Sequence, residues 1–160
     1  MPSILFVCTG NLYRSPLAAA FFARRLQHGS SSGHWVVESA GTWAVPGQCV
    51  PAELLEAARR LGIDLRRHVT RQVDHDLLAR YDLIFVMEKG QREAINFEFP
   101  CVQRKVHLLS EVADQLQYDV ADPLSSGLGL DETVQHISGL IDRAYPRICH
   151  LAQACDRSGT

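Results

Sequence analysis

No run of this sequence is apolar for long enough to cross a membrane. The longest nearly uncharged N-terminal stretch, Ser3 to Tyr13, is cut by Arg14, well short of the ~20 apolar residues a spanning helix needs. An excess of charge of one sign is missing too. Sixteen Lys plus Arg face 18 Asp plus Glu, a formal balance of −2, so no broad basic field exists to hold nucleic acid or an anionic membrane. Any anion site must be local. Cys-x-x-Cys pairs are absent and the histidines are scattered, so the expectation is no metal and no cofactor. The five cysteines are odd in number and irregularly spaced, and no charged leader precedes a long apolar stretch. Free thiols in a reducing cytoplasm, without export, are therefore expected. A chain of 160 residues that is 46% hydrophobic suits a single domain spanning residues 1–160.

What is present is a set of short apolar runs separated by helical patterns. Ile4-Leu5-Phe6-Val7, Leu83-Ile84-Phe85-Val86 and Val106-His107-Leu108-Leu109 are nearly continuous, and Trp35-Val36-Val37 is shorter. Continuous runs suit parallel strands covered on both faces. Leu17 to Leu26, Ala52 to Leu61 and Thr133 to Leu151 carry apolar residues at three- and four-residue spacings, the period of an amphipathic helix; Gly62 stops the second and Pro146 is expected to kink the third. Strand and helix in alternation read as α/β. Three stretches read as connections: His28 to Gly33, a small polar surface loop; Thr42 to Pro51; and Tyr118 to Gly129, a long segment holding Asp119, Asp122 and Pro123.

The informative segment is Cys8-Thr9-Gly10-Asn11-Leu12-Tyr13-Arg14-Ser15-Pro16. It leaves a buried-strand pattern and enters a helix for which Ser15 reads as the N-cap and Pro16 as the first helical residue. Such a loop turns backbone N–H groups and the positive end of the helix dipole toward its centre, which makes an anion site. Gly10 is expected to let the loop bend tightly. Arg14 adds a planar fork matched to two phosphoryl oxygens. Cys8 lies where an electropositive setting favours the thiolate, the nucleophilic form of cysteine. Ser15 can hydrogen-bond that sulfur. Transfer of a phosphoryl group to sulfur needs a proton for the departing oxygen, and Asp122 is the candidate donor, with Asp119 its competitor.

With the blocks Glu38-Ser39-Ala40-Gly41-Thr42, Gly62-Ile63-Asp64, His68 … Arg71-Gln72, Tyr81-Asp82-Leu83-Ile84 … Val86-Met87-Glu88-Lys89 and Asp122-Pro123 following that loop in order, the chain resembles the bacterial branch of the low-molecular-weight protein tyrosine phosphatases over nearly its whole length. The resemblance implies a four-stranded parallel sheet with helices on both faces, of the flavodoxin-like or phosphotyrosine phosphatase I-like kind, with the active loop at the carboxyl end of the first strand. It makes Cys8 the nucleophile of a phosphocysteine intermediate and Arg14 the phosphate clamp. Asp122 becomes the acid for the tyrosine oxygen and then the base for water. Thr9, Gly10, Asn11, Leu12, Tyr13 and Ser15 become the substrate loop, Asn11 with an unusual backbone conformation, and Ser39 and His68 its hydrogen-bonding supports. The implied enzyme is cytoplasmic, needs no cofactor, and is a monomer or weak dimer. Its substrate is a phosphotyrosine protein, with the tail of a bacterial tyrosine autokinase of exopolysaccharide production as the candidate.

Two departures bear on this. Tyr13 stands where the family usually has a second cysteine, so the protective disulfide with the nucleophile is unavailable. Leu124, Ser125 and Ser126 follow Asp122-Pro123 in place of aromatic residues, leaving Leu124 and Trp43 as the expected pocket walls. Arsenate reductases and protein arginine phosphatases use the same scaffold. The first need a cysteine relay, for which Cys101, Cys149 and Cys155 are poorly spaced; the second resemble this loop with threonine in place of Leu12. A non-catalytic phosphotyrosine-binding module is the remaining alternative, and it requires neither nucleophile nor acid.

Overall fold

A computed structural model describes residues 1–29 and 33–158. Strand β1 (Ser3–Cys8) leads into helix α1 (Arg14–His28), β2 (Val36–Gly41), α2 (Ala52–Arg60), α3 (His75–Ala79) and β3 (Leu83–Val86). Then follow α4 (Lys89–Glu98), a 3-10 turn (Pro100–Lys105), β4 (Val106–Leu108), α5 (Leu109–Asp114), α6 (Pro123–Ser126) and α7 (Leu130–Ser158). The four strands are all parallel in the order β2-β1-β3-β4, as the continuous apolar runs predict.

Side-chain alternation along β1 explains why that run has no polar positions. Ile4, Phe6 and Cys8 enter one core with α1, α2, α5 and α7, whereas Leu5 and Val7 enter the other with Leu77 and Leu78 of α3 and Ile95 of α4. Both faces are covered, so both must be apolar. Phe6 packs its ring against Phe22 of α1 at 5.8 Å and Phe85 of β3 at 5.6 Å, fixing the strand that leads into the loop against the helix that follows it. From β1 the chain moves outward to β2 and then crosses back to β3 on the other side. The carboxyl end of β1 is thus the point at which strand order reverses, where open α/β sheets form their ligand crevice.

Several boundaries differ from the sequence reading. Trp35 precedes β2, and Leu109 starts α5 rather than ending β4. Helix α7 extends well beyond Thr133 to Leu151 and runs through Pro146 without a break; this proline and Asp142, whose carbonyl loses its partner, are both exposed, so water can take the freed bond. The long connection from Tyr118 to Gly129 contains α6, capped by the Asp122 side chain. Helices α3 and α5 carry too few turns for periodicity to reveal them, and α4 buries only Gln91 and Ile95, too few apolar positions to make a pattern. Of the surface loop expected between His28 and Gly33, residues 30–32 lie outside the described residues.

Gly41, the last residue of β2, meets the loop after β1 more closely than any side chain would allow. A Cβ there would lie 2.4 Å from the Thr9 carbonyl, 2.9 Å from Ala44 Cβ and 3.0 Å from the Asn11 nitrogen. At Gly10 the nearest atom to such a Cβ is Leu12 Cδ1 at 4.0 Å. Gly41→Ala is accordingly expected to destabilise the protein by about 1–3 kcal/mol, the usual cost of overpacking, and Gly10→Ala by much less. Urea unfolding of the two variants checks this; equal losses would mean that space at Gly41 is not the constraint.

Candidate active site

The loop from Cys8 to Ser15 is built around Asn11. Its φ of 57° is left-handed, a region that non-glycine residues rarely occupy and that costs about 1–3 kcal/mol. The bend expected at Gly10 is therefore made one residue later. Asn11 is fully buried and its side chain is satisfied on both ends. Its amide nitrogen donates to Ser15 Oγ and Ser39 Oγ, both at 2.9 Å, and its amide oxygen accepts from the Arg71 backbone N–H at 2.9 Å. The Asn11 carbonyl lies 2.8 Å from His68 Nε2. Asparagine tolerates this backbone because its short polar side chain bonds locally, and Ser39 and His68 meet it where the resemblance put them.

Ser15 has a different task from the one its position suggests. Helix α1 begins at Arg14, with Tyr13 at the cap position and no side-chain capping bond. The Ser15 hydroxyl instead lies 3.0 Å from Cys8 Sγ and 3.3 Å from the Ala40 carbonyl, while accepting from Asn11. Its single proton thus has two acceptors, and a negatively charged sulfur is the stronger.

Arg14 is 2% exposed, and a buried guanidinium requires partners. It has them on three sides: Glu88 Oε1 at 2.5 Å and the Val120 carbonyl at 2.8 Å from Nη1, and Asp122 Oδ2 at 3.5 Å from Nη2. Glu88 precedes α4 and Val120 precedes Asp122, so the turns after β3 and before α6 converge on the clamp. Gln91 of α4 completes the joint. Its oxygen accepts from the Met87 and Glu88 backbone N–H groups, both at 3.0 Å, and its nitrogen donates to Thr9 Oγ1 at 3.0 Å.

Cys8, Gly10, Leu12, Tyr13, Arg14, Asp122 and Leu124 line a narrow cleft of about 40 Å³. Larger hollows exist elsewhere, but this one gathers the thiol, guanidinium and carboxylate, and it is of the scale of a phosphoryl group rather than of a whole substrate. Asp122 Oδ1 accepts from the Leu124 N–H at 3.0 Å as it caps α6, which aims its other oxygen toward Arg14. Asp119 is turned away, accepting from the Lys89 N–H at 2.8 Å. Trp43 reaches the loop through its backbone, whose N–H donates to the Thr9 carbonyl at 2.9 Å, but its ring is 83% exposed and does not line the cleft. Tyr13 supplies the aromatic lining instead. Burial, then the Glu53 and Asp122 carboxylates, raise its phenol above the ordinary range, keeping it a neutral donor. No second cysteine lines the cleft.

Glu88, Gln91 and Arg71 hold the site yet carry no role in the sequence reading; the blocks Met87-Glu88-Lys89 and Arg71-Gln72 were the available signal. Arg71 also donates to the Ser39 carbonyl at 3.2 Å and to Glu38 at 2.8 Å, and Tyr81 donates to the same carboxylate. Burial opposes the charge on Glu38, but the bonds from Tyr81 and Arg71 prevail and hold its carboxyl below the usual range. Among the described residues no group of three His, Cys, Asp or Glu side chains is arranged to hold a metal.

Burial lowers the His68 imidazole, opposed by its bond to Asn11 and assisted by the Arg71 charge. At neutral pH its Nε2–H therefore donates to the Asn11 carbonyl. A depressed folded value means that the unfolded chain binds the proton first, so this contribution to stability is present above the ordinary value of 6.5 and is lost as pH falls through the folded one. Unfolding midpoints measured from pH 8 to about pH 5 are expected to decline with acid, and the decline to shrink in His68→Gln. An unchanged slope would remove His68 from the account.

The sequence profile of a family described as "Low molecular weight phosphotyrosine protein phosphatase" matches residues 3–154. A Ralstonia nicotianae protein named "Probable low molecular weight protein-tyrosine-phosphatase EpsP" is 34% identical over 147 residues, covering 91% of this chain and 95% of that one. The crystal structure of a low molecular weight protein tyrosine phosphatase from T. tengcongensis superposes with a TM-score of 0.82 at 29% identity, covering 92% of this chain and 99% of the other. The YwlE arginine phosphatase from Geobacillus stearothermophilus superposes with a TM-score of 0.80 at 26% identity, covering 94% of each. With its loop, clamp and carboxylate arranged as described, this chain belongs to the low molecular weight protein-tyrosine phosphatases.

Proposed function

We propose that this protein-tyrosine phosphatase hydrolyses phosphotyrosine in proteins through Cys8, with Arg14 as clamp and Asp122 as acid and base. The observation that carries the reading is the convergence of these three side chains on one narrow cleft. The Cys8 sulfur attacks phosphorus as the P–O bond to the tyrosine ring breaks, and Asp122 gives its proton to the departing oxygen. Water then attacks the phosphocysteine, Asp122 takes a proton from it, and the S–P bond breaks to release inorganic phosphate. Ser15, 3.0 Å from the sulfur, donates to the thiolate that leaves. Throughout, Glu88 and the Val120 carbonyl hold one nitrogen of Arg14, which leaves the rest of the fork for the equatorial oxygens.

Leu12 and Tyr13 support an aryl group as the leaving side. Both line the cleft, and an aliphatic side chain packs against a phenyl ring while offering a guanidinium no hydrogen bond. The likeness to an arginine phosphatase keeps phosphoarginine as the second reading. Leu124, 71% exposed at the cleft's edge, forms the outer contact. Among protein substrates, the tyrosine-rich tail of a bacterial tyrosine autokinase is the reading favoured by the resemblance to the bacterial branch. No helix among the described residues is long and apolar enough to cross a membrane; the cytoplasm is the setting in which Cys8 stays reduced.

Phosphate release from matched phosphotyrosine and phosphoarginine peptides tests the substrate. Phosphotyrosine is expected to be preferred, and Cys8→Ser to abolish turnover while still binding vanadate through Arg14 and the loop. A preference for phosphoarginine would favour the second reading. Asp122→Ala is expected to slow aryl phosphates with poor leaving groups by about 100-fold or more and activated ones much less. The same selectivity in Asp119→Ala instead would reassign the acid.

A further inference from the structure

A hollow much larger than the active cleft lies elsewhere in the described structure. A cavity of about 510 Å³ lies beside β4, the edge strand of the sheet, in the angle between α4, α5 and α7. It shares no lining residue with the cleft around Cys8. Its size falls within the roughly 300–1,000 Å³ typical of small-molecule sites.

Its lining is part apolar and part cationic. Val106, Val112 and Leu151 contribute the apolar part. Arg147 and His150, three residues apart on α7 and so on one face of it, join Arg92 of α4 and His107 of β4 around the rest. Arg92 is engaged by Glu111 at 3.1 Å. Arg147 is exposed and makes no hydrogen bond or ion pair among the described residues. An unpaired guanidinium above an apolar hollow, with a second guanidinium and two imidazoles beside it, has the chemistry that recognises an anionic head on an organic body. The carboxylate of Glu111 sets the limit on charge. One formal positive charge remains after it is counted against the two arginines, so a dianion must draw Arg92 partly away from Glu111, whereas an uncharged ligand gains nothing from either.

We propose that this cavity is a second binding site, separate from the active cleft, for a small organic phosphate with an apolar or aromatic body. Arg147 and His150 meet the phosphate, Arg92 swings to it from Glu111, and the body rests on Val106, Val112 and Leu151. The His107 ring, tilted against Phe85 at 5.7 Å, forms the inner wall.

Benzylphosphonate is a suitable probe because its head is a dianion, its body is apolar, and its C–P bond offers no ester for hydrolysis. Calorimetric titration of the intact protein is expected to find two sites per chain. In Arg147→Glu one site is expected, or a second weakened at least tenfold, while turnover of an aryl phosphate and its competitive inhibition by the probe stay unchanged. Competitive inhibition reads the active cleft by itself, so loss of it would count against the function proposed above and not against this site. A stoichiometry of one in the wild-type protein, or two equally tight sites in Arg147→Glu, would overturn the proposal.

Discussion

Everything at the catalytic end of the sheet depends on one asparagine held in a left-handed backbone. Asn11 turns the chain between β1 and α1, and its contacts arrive from three other places: Ser15 in α1, Ser39 in β2, and His68 with Arg71 in the segment before α3. Each such bond contributes roughly 0.5–1.5 kcal/mol net, so together they offset the local strain of about 1–3 kcal/mol. The arrangement also satisfies groups that burial would otherwise leave unpaired. A loop with this shape cannot relax toward an ordinary turn without stranding several polar atoms at once. Rigidity around the sulfur is therefore a property of the network, not of any one bond in it.

Arg14 shows how the same end tolerates a buried charge. A guanidinium at 2% exposure is costly unless compensated, and Glu88 supplies the opposite charge from the turn after β3. The compensation is one-sided. Glu88 and the Val120 carbonyl share Nη1, and Asp122 stands farther off at 3.5 Å from Nη2. One edge of the fork is anchored in the protein, and the other, with only the more distant Asp122 beside it, faces the cleft and keeps N–H donors for the oxygens of a ligand. Since Asp122 is fixed by its capping bond to Leu124, it and Arg14 keep their spacing without touching closely.

The strands and the chemistry were legible for the same reason: both are local. Ile4 to Val7 and Leu83 to Val86 declare buried strands by composition, and the order of residues from Cys8 to Arg14 declares an anion loop. Asp122 enters the reading through the demand that the loop's chemistry places on some carboxylate and through the Asp122-Pro123 block, and the fold brings it to the cleft. What stayed hidden is what depends on distant partners. Glu88 lies 74 residues from Arg14 and Gln91 lies 82 from Thr9, and nothing in a linear pattern joins them. Of the two roles read for Ser15, the cap fails although a serine before proline is a good local cap, whereas the bond to the Cys8 sulfur is present. The tight bend is read at Gly10 because glycine is the usual left-handed residue; it falls at Asn11, whose unusual backbone only the family resemblance implies. Trp43 reads as a wall because an aromatic ring packs well against a phenyl group; its backbone, rather than its ring, serves the loop.

The distances along the chain that conceal these partners also set a schedule. Synthesis runs from the N-terminus, so the ribosome delivers Cys8 well before the groups that shape its surroundings. Asn11 waits for residues 68–71, and Arg14 for Glu88, Val120 and Asp122. A nascent chain carries an early thiol with no finished cradle around it. The site is thus assembled only once residue 122 has emerged, and a chain broken off before residue 68 carries the thiol without the contacts that shape its loop.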